Sequence, residues 1–169
     1  PAEWDRSSDC SALASDGQSV WVAHDYDRET IHGIPFWGGS PPADVNYQHS
    51  QPPTYGFGNG LAYHDGKLYL VREHPDPGTD RIERYRLSDG AYLGRWETAP
   101  QSVMPWSAQA AAGSLFVLDG GDGGVVVFDL ADGSYDRAFP VSGAGPLCGN
   151  ATHVWIRTVD NVTWNAYTL

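Results

Sequence analysis

Residues 60–100 read GLAYHDGKLYLVREHPDPGTDRIERYRLSDGAYLGRWETAP. Short alternating runs are separated here by turn signals: LAY, Asp65-Gly66, KLYLV, a loop holding Pro75 and Pro77, RIERYRL, Asp89-Gly90 and AYLGRW. Alternation of apolar and polar residues marks a half-buried strand, because successive side chains of a strand point to opposite faces. Asp-Gly between two such runs is a hairpin signal, since these residues tolerate the positive φ of tight hairpin turns. Four antiparallel strands in about forty residues make one blade of a β-propeller.

The rest of the chain repeats this unit. Residues 107–140, SAQAAAGSLFVLDGGDGGVVVFDLADGSYDRAFP, carry Asp132-Gly133 where the first unit carries Asp89-Gly90. Further units start at Cys10 and near Pro146. Their second strands align as Val20-Trp21-Val22, Leu68-Tyr69-Leu70, Leu115-Phe116-Val117 and Val154-Trp155-Ile156, each apolar, aromatic, apolar. One such triplet means only a strand; its recurrence at blade spacing means an internal repeat. GRWET at 94–98 and DRAFP at 136–140 are outer strands, and Ala2-Glu3-Trp4-Asp5 is similar to the former. The last unit ends after three strands, so the N-terminus is expected to supply its fourth, which would close the ring and remove two exposed sheet edges. The expected fold is therefore all-β, a four-bladed propeller of four-stranded antiparallel blades in one domain over 1–169. Its blades are placed at about 8–54, 55–100, 101–142 and 143–169 plus 1–7. A closed ring implies a monomer; the competing picture is an open half-ring that dimerises into eight blades.

The second and third units resemble repeats of the NHL, YVTN and gluconolactonase-like group of β-propellers. The resemblance rests on Gly60-Leu61-Ala62 with Asp65-Gly66, on Asp80-Arg81-Ile82, and on Leu-Ser-Asp-Gly at 87–90 echoed by Leu-Ala-Asp-Gly at 130–133. It covers about half the chain well, and the likeness to hemopexin-type rings is one of blade count only. Such motifs specify a fold and leave the ligand open. Gluconolactonase-like propellers hold a metal with a Glu, two Asn and an Asp; here Asn59, Asn150 and Asp119 differ in aligned depth and no inner-strand Glu appears, so that site is not carried over.

Composition bounds the function. The chain has 169 residues, 41% hydrophobic and 18% charged, enough for one domain with a real core. A net charge of −11 and a single lysine, Lys67, argue against a nucleic-acid backbone as partner. No apolar run is long enough to span a membrane, so no membrane partner is expected. The chain begins with Pro, as a mature or trimmed product would, which favours a secreted or periplasmic setting over a cytoplasmic one.

Between Pro35 and Gly60 the sequence is rich in Pro and Gly but also holds Phe36, Trp37, Tyr47, Tyr55 and Phe57. Such a loop packs as a lid over hydrophobic edges or contributes to a binding surface. Cys10 and Cys148 fall on innermost strands of neighbouring blades, but about three residues apart in depth. That displacement is roughly 10 Å, beyond disulfide reach, so buried free thiols are expected.

Loops between second and third strands, and between blades, share one propeller face. That face receives the variable pieces: HDYDRE at 24–29, REHPDPGTD at 72–80, DGGDGG at 119–124 and TVDN at 158–161. The position two residues past each apolar triplet gives a ring of equivalents, His24, Arg72, Asp119 and Thr158, pointing inward if they line the channel mouth. Asp25, Tyr55, Phe57, Glu73, His74 and Trp106 surround them. A polar rim with aromatics is what a ligand site shows; equally, loop residues are polar because loops face water. DGGDGG could hold Ca²⁺, which takes several oxygen ligands, although no Glu closes that loop; no other cofactor is implied.

Two functions fit these residues. One is a non-catalytic module that recognises a small molecule, glycan or protein at the rim. The other is a small propeller enzyme, a hydrolase, lyase or cyclase, with His24 as general base beside Asp25 or Asp119 and Arg72 stabilising an anion. The chain contains no Gly-x-Ser-x-Gly, no His-Glu-x-x-His and no phosphate-binding glycine loop.

Overall fold

The computed structural model describes residues 10–24, 30–46, 59–72, 80–99, 101, 103–121, 123–141, 145–150, 152–157 and 163–168; of Cys10, Ser11, His24 and Asn59 it describes the backbone alone. The first sheet is β1 (Cys10–Ser15), β2 (Ser19–His24), β3 (Thr30–Pro35) and β4 (Val45–Asn46), adjacent in that order. The second is β5 (Asn59–His64), β6 (Lys67–Arg72), β7 (Arg81–Arg86) and β8 (Tyr92–Glu97). The third is β9 (Pro105–Ala111), β10 (Ser114–Asp119), β11 (Gly124–Asp129) and β12 (Tyr135–Pro140). The fourth is β13 (Leu147–Gly149), β14 (His153–Arg157) and β15 (Trp164–Thr168). All pairings are antiparallel, and the sheets form the blades of a four-bladed β-propeller. The expected outer strand at residues 1–7 lies outside the described residues.

The turns explain why the repeat forms. Asp65 and Gly66 have φ of 45° and 71°, and Ala112 and Gly113 at the matching place have 48° and 79°. Consecutive positive φ is the hairpin geometry whose twist suits the flanking strands. Asp89 Oδ1 accepts the Ala91 N–H at 3.1 Å, and Asp132 Oδ1 accepts the Ser134 N–H at 2.8 Å. Each outer turn is then hooked to the inner one: Leu87 N–H donates to the Gly66 carbonyl at 2.8 Å, and Leu130 N–H to the Gly113 carbonyl at 2.9 Å. The two Leu-x-Asp-Gly segments thus make the same bonds.

The core lies between blades. Along a second strand, alternate residues face opposite neighbours. Leu68 and Leu70 join Trp21, Ile31 and Val45 of blade one, whereas Tyr69 and Val71 join Val117, Val126 and Phe128 of blade three. In β10, Leu115 and Val117 turn to blade two, and Phe116 and Leu118 to Val154 and Ile156 of blade four. Each second strand is therefore apolar on both faces, which is why the triplets carry no polar residue. Between blades two and three, Arg84 lies 4.3 Å from the Trp96 ring centroid and Trp96 stacks on Tyr69 at 5.9 Å. Trp21 is fixed by its indole N–H, which donates to Asp16 Oδ2 at 2.9 Å.

The innermost strands meet around the axis: β1 packs on β5, β5 on β9 and β9 on β13, with β1 also reaching β9. The closest approach needs glycine. A Cβ on Gly60 would lie 2.8 Å from Ala108 Cβ and 3.2 Å from the Ala108 backbone nitrogen. Backbone cannot yield there as a flexible side chain can. Gly60→Ala is expected to destabilise the fold by about 1–3 kcal/mol, the range for overpacking a tight core. Urea unfolding measures it, and an unchanged midpoint would mean the blades can slide apart without loss.

Candidate functional site

His24, Arg72 and Asp119 are the last residues of β2, β6 and β10, so they do occupy equivalent positions at one end of the propeller. Alternation decides where they face. Arg72 is in phase with Leu68 and Leu70, on the side of blade two that turns to blade one. Asp119 is in phase with Leu115 and Val117 and turns to blade two. The inward aim expected of this ring is thus corrected for these two residues: second-strand side chains alternate between neighbouring blades, leaving the channel to the innermost strands. Asp25, Tyr55, Phe57, Glu73, His74 and Thr158 lie outside the described residues.

Asp119 is buried, and its carboxylate holds backbone. Oδ1 accepts the N–H of Met104 and that of Gly121, each at 3.0 Å. One carboxylate thereby ties the segment entering β9 to the DGGDGG loop leaving β10. Asp80 does the same one blade earlier. Its Oδ2 accepts the Val103 N–H at 2.8 Å, and its carbonyl accepts the Thr98 N–H and hydroxyl at 2.9 and 3.0 Å. Both acids fasten the connection between blades two and three.

The face of blade two below Arg72 is also polar. Glu83 is fully buried, with Oε1 3.2 Å from Arg81 Nε and Oε2 accepting the Tyr85 hydroxyl at 2.5 Å. Burial first, then the Glu83 charge, raises the nearby Tyr92 phenol above its ordinary pKa. These contacts run along β7 itself, on the face turned to blade one, and removing either ion-pair partner would strand the other buried charge.

The channel presents a different surface. Residues of all four innermost strands, among them Leu13, Leu61, Trp106, Gln109 and Leu147, line a cavity of about 310 Å³. Leu13 and Trp106, both large and apolar, remain 57% and 47% exposed beside it. Register explains Trp106. Leu118 pairs with Ser107 and Asp119 with Pro105, so Trp106 is the extra residue of a β-bulge, next to a proline that has no N–H for the ladder. A bulge breaks the alternation and re-aims its side chain. The indole rests on Gly120, where an added Cβ would lie 2.1 Å from Trp106 Nε1. Sequence placed Trp106 near the rim but missed the bulge and the aliphatic lining. The Pro105-Trp106 pair entering an inner strand was the available signal.

Two further expectations are corrected. Cys148 is unbonded, as expected, but exposed instead of buried. Trp37, on the loop expected to be a lid over hydrophobic edges or part of a binding surface, is 92% exposed, against the lid. It follows Phe36, whose N–H donates to the Gln18 carbonyl at 2.9 Å, which puts both on the turn face opposite the variable loops. Asn150 spends its side-chain oxygen on the N–H groups of Thr152 and His153 at 2.9 and 3.0 Å, in the turn after β13. Asn59 and Asp119 lie at the other end of their blades, so a gluconolactonase-like donor set does not converge. Among the described residues no three His, Cys, Asp or Glu side chains cluster as metal ligands, and Asp122 of DGGDGG lies outside them.

No protein-family model matches the chain, and no curated protein matches it by sequence. Solved structures do. The computationally designed Ika4 protein aligns over 96% of this chain and 92% of its own, with TM-score 0.59 and 16% identity. A glutaminyl cyclase of Myxococcus xanthus aligns over 86% of this chain and 66% of the cyclase, at 0.59 and 17%. BamB of Moraxella catarrhalis aligns over 92% of this chain and 44% of BamB, at 0.56 and 14%. The chain therefore spans about two thirds of one natural protein and under half of the other. At these identities the likeness is one of fold, a β-propeller.

The bonding of Asp119 gives a direct test of its role. Asp119→Ala leaves two backbone N–H groups without their acceptor and is expected to cost about 1–3 kcal/mol of stability, read by urea unfolding. A fully stable variant would free Asp119 for a role other than fastening the loop.

Proposed function

We propose that the protein is a non-catalytic binding module, a propeller of NHL-like repeats that takes its ligand at the variable-loop end of the central channel. The observation that carries this reading is Trp106: a half-exposed indole, set by a bulge, beside a cavity to which every innermost strand contributes. Trp supplies a large rigid contact surface and is enriched among residues that dominate binding energy. The cavity is at the small end of ligand sites, which run from about 300 to 1,000 Å³.

A thermal-shift screen of small molecules and oligosaccharides against the wild-type protein tests this. Its hits are expected to weaken by more than about tenfold in Trp106→Ala, while that variant melts within about 4 °C of wild type. Hits that bind the variant with unchanged Kd would remove Trp106, and the channel mouth with it, from recognition.

The enzymatic alternative keeps one support, that a protein of similar fold is a glutaminyl cyclase. It is the weaker reading because Asp119 Oδ1 is already engaged by two backbone donors. It requires His24 as general base with Arg72 and Asp119, so His24→Ala should abolish any hydrolase, lyase or cyclase turnover found for the purified protein without unfolding it. Retained turnover would exclude His24.

A further inference from the structure

Resting on the binding reading above, we infer that the ligand is a small, uncharged molecule with a flat apolar ring system, seated in the channel against Trp106 and Leu13. The described lining holds no charged side chain: Ala12, Leu13, Leu61, Ala108, Pro146 and Leu147 surround Trp106, Ser107 and Gln109. A charged ligand entering such a site would lose its hydration without a counter-charge, and the net charge of −11 opposes an anion at long range as well. The polar capacity is small and already partly used. Ser107 Oγ accepts the Leu147 N–H at 3.2 Å, and Gln109 Nε2 donates to the Ala110 carbonyl at 2.9 Å. What remains is the Ser107 hydroxyl with its proton and second lone pair, the other Gln109 Nε2–H and the Gln109 carbonyl oxygen: two donors and a few acceptor positions, all on two side chains. A sugar, with a hydroxyl on nearly every carbon, would bury several of them without partners. A ring with one or two polar substituents would not.

Trp106 supplies the stacking surface and Gly120 fixes it. No side chain larger than hydrogen fits between the indole and the loop backbone at residue 120, so the platform is pre-set before a ligand arrives. Pre-set aromatic surfaces bind flat rings at low entropic cost. Leu13, more than half exposed across the cavity, is the apolar group a bound ring would cover. Gly120 is thus a positioning residue, and Leu13 and Trp106 are contact residues.

The matched probes are N-phenyl-1-naphthylamine, which is neutral, and 8-anilino-1-naphthalenesulfonate, the same ring pair with a sulfonate. Titrated into the full chain, the neutral dye is expected to saturate one site, quench tryptophan fluorescence and bind at least about tenfold tighter than the sulfonate. Trp106→Ala and the channel-filling Leu13→Trp should each weaken it by about tenfold, and Gly120→Ala by somewhat less. Leu13→Trp changes a side chain already largely in water, so its melting temperature checks that the loss is not unfolding. Equal affinity for both dyes, unaffected by these substitutions, would overturn the inference as surface adhesion. If neither dye binds but an oligosaccharide or a charged small molecule binds in a Trp106-dependent way, the ligand class is wrong and the binding reading stands. If no probe of any class depends on Trp106, both fall.

Discussion

Four blades can share one axis only if their innermost strands come nearly into backbone contact, and the Gly60–Ala108 approach is where this chain meets that constraint. With a Cβ only 2.8 Å from its neighbour's Cβ, no side chain fits at residue 60. The inner strands stay slim where they meet: Ala62, Ala108, Ala110 and Ala111 are all buried there. Bulk then moves outward along the radius. Second and third strands carry Tyr69, Phe116, Val127 and Phe128, and outer strands carry Trp96 and Phe139 against the flanks of the wedge. The taper of the blades is written as a gradient of side-chain volume, small at the axis and aromatic away from it.

The same constraint sorts the polar residues. Second-strand positions face neighbouring blades, so a polar group at the end of such a strand is drawn into fastening blades together. Asp119 illustrates it, buried at the end of β10 and holding the Met104 amide; Asp80, just before the third strand β7, is likewise buried and holds the Val103 amide of the same connection. Glu83, Arg81 and Tyr85 instead satisfy one another along β7, on the face turned to blade one. A buried carboxylate that accepts backbone hydrogen bonds has its place in the structure accounted for by them. Acids near the rim of a propeller are therefore ambiguous until their partners are known.

Most of the fold was legible in the sequence because its signals are local. Asp65-Gly66 sets a turn by backbone conformation, Leu-x-Asp-Gly repeats it, and the apolar–aromatic–apolar triplets need burial on both faces. The site was legible only in outline, because its deciding features are relations between strands. That Trp106 is the unpaired residue of a bulge follows from the register of β9 against β10. That Asp119 turns to blade two, not to the channel, follows from which neighbour each face of β10 meets. Periodicity along one strand carries neither of these.

Stability alone would not have produced the channel as it stands. A bulge gives up ladder pairing, and burying a large apolar side chain fully is worth about 1.5–3 kcal/mol, much of which a half-exposed tryptophan forgoes. Leu13 forgoes more, being exposed beside it. Elsewhere the inner strands keep small residues at their tightest contacts, Gly60 and Ala108 among them, and the other register shift among the described inner strands lies between Cys10 and Ala12 of β1. Departures from otherwise consistent patterning concentrate where a surface is kept for something else. Here two of them, the bulged indole and the uncovered leucine, face the same cavity. A single bound ring would cover both at once inside one cavity, which sets the channel apart from Phe36 and Trp37, exposed on the opposite face.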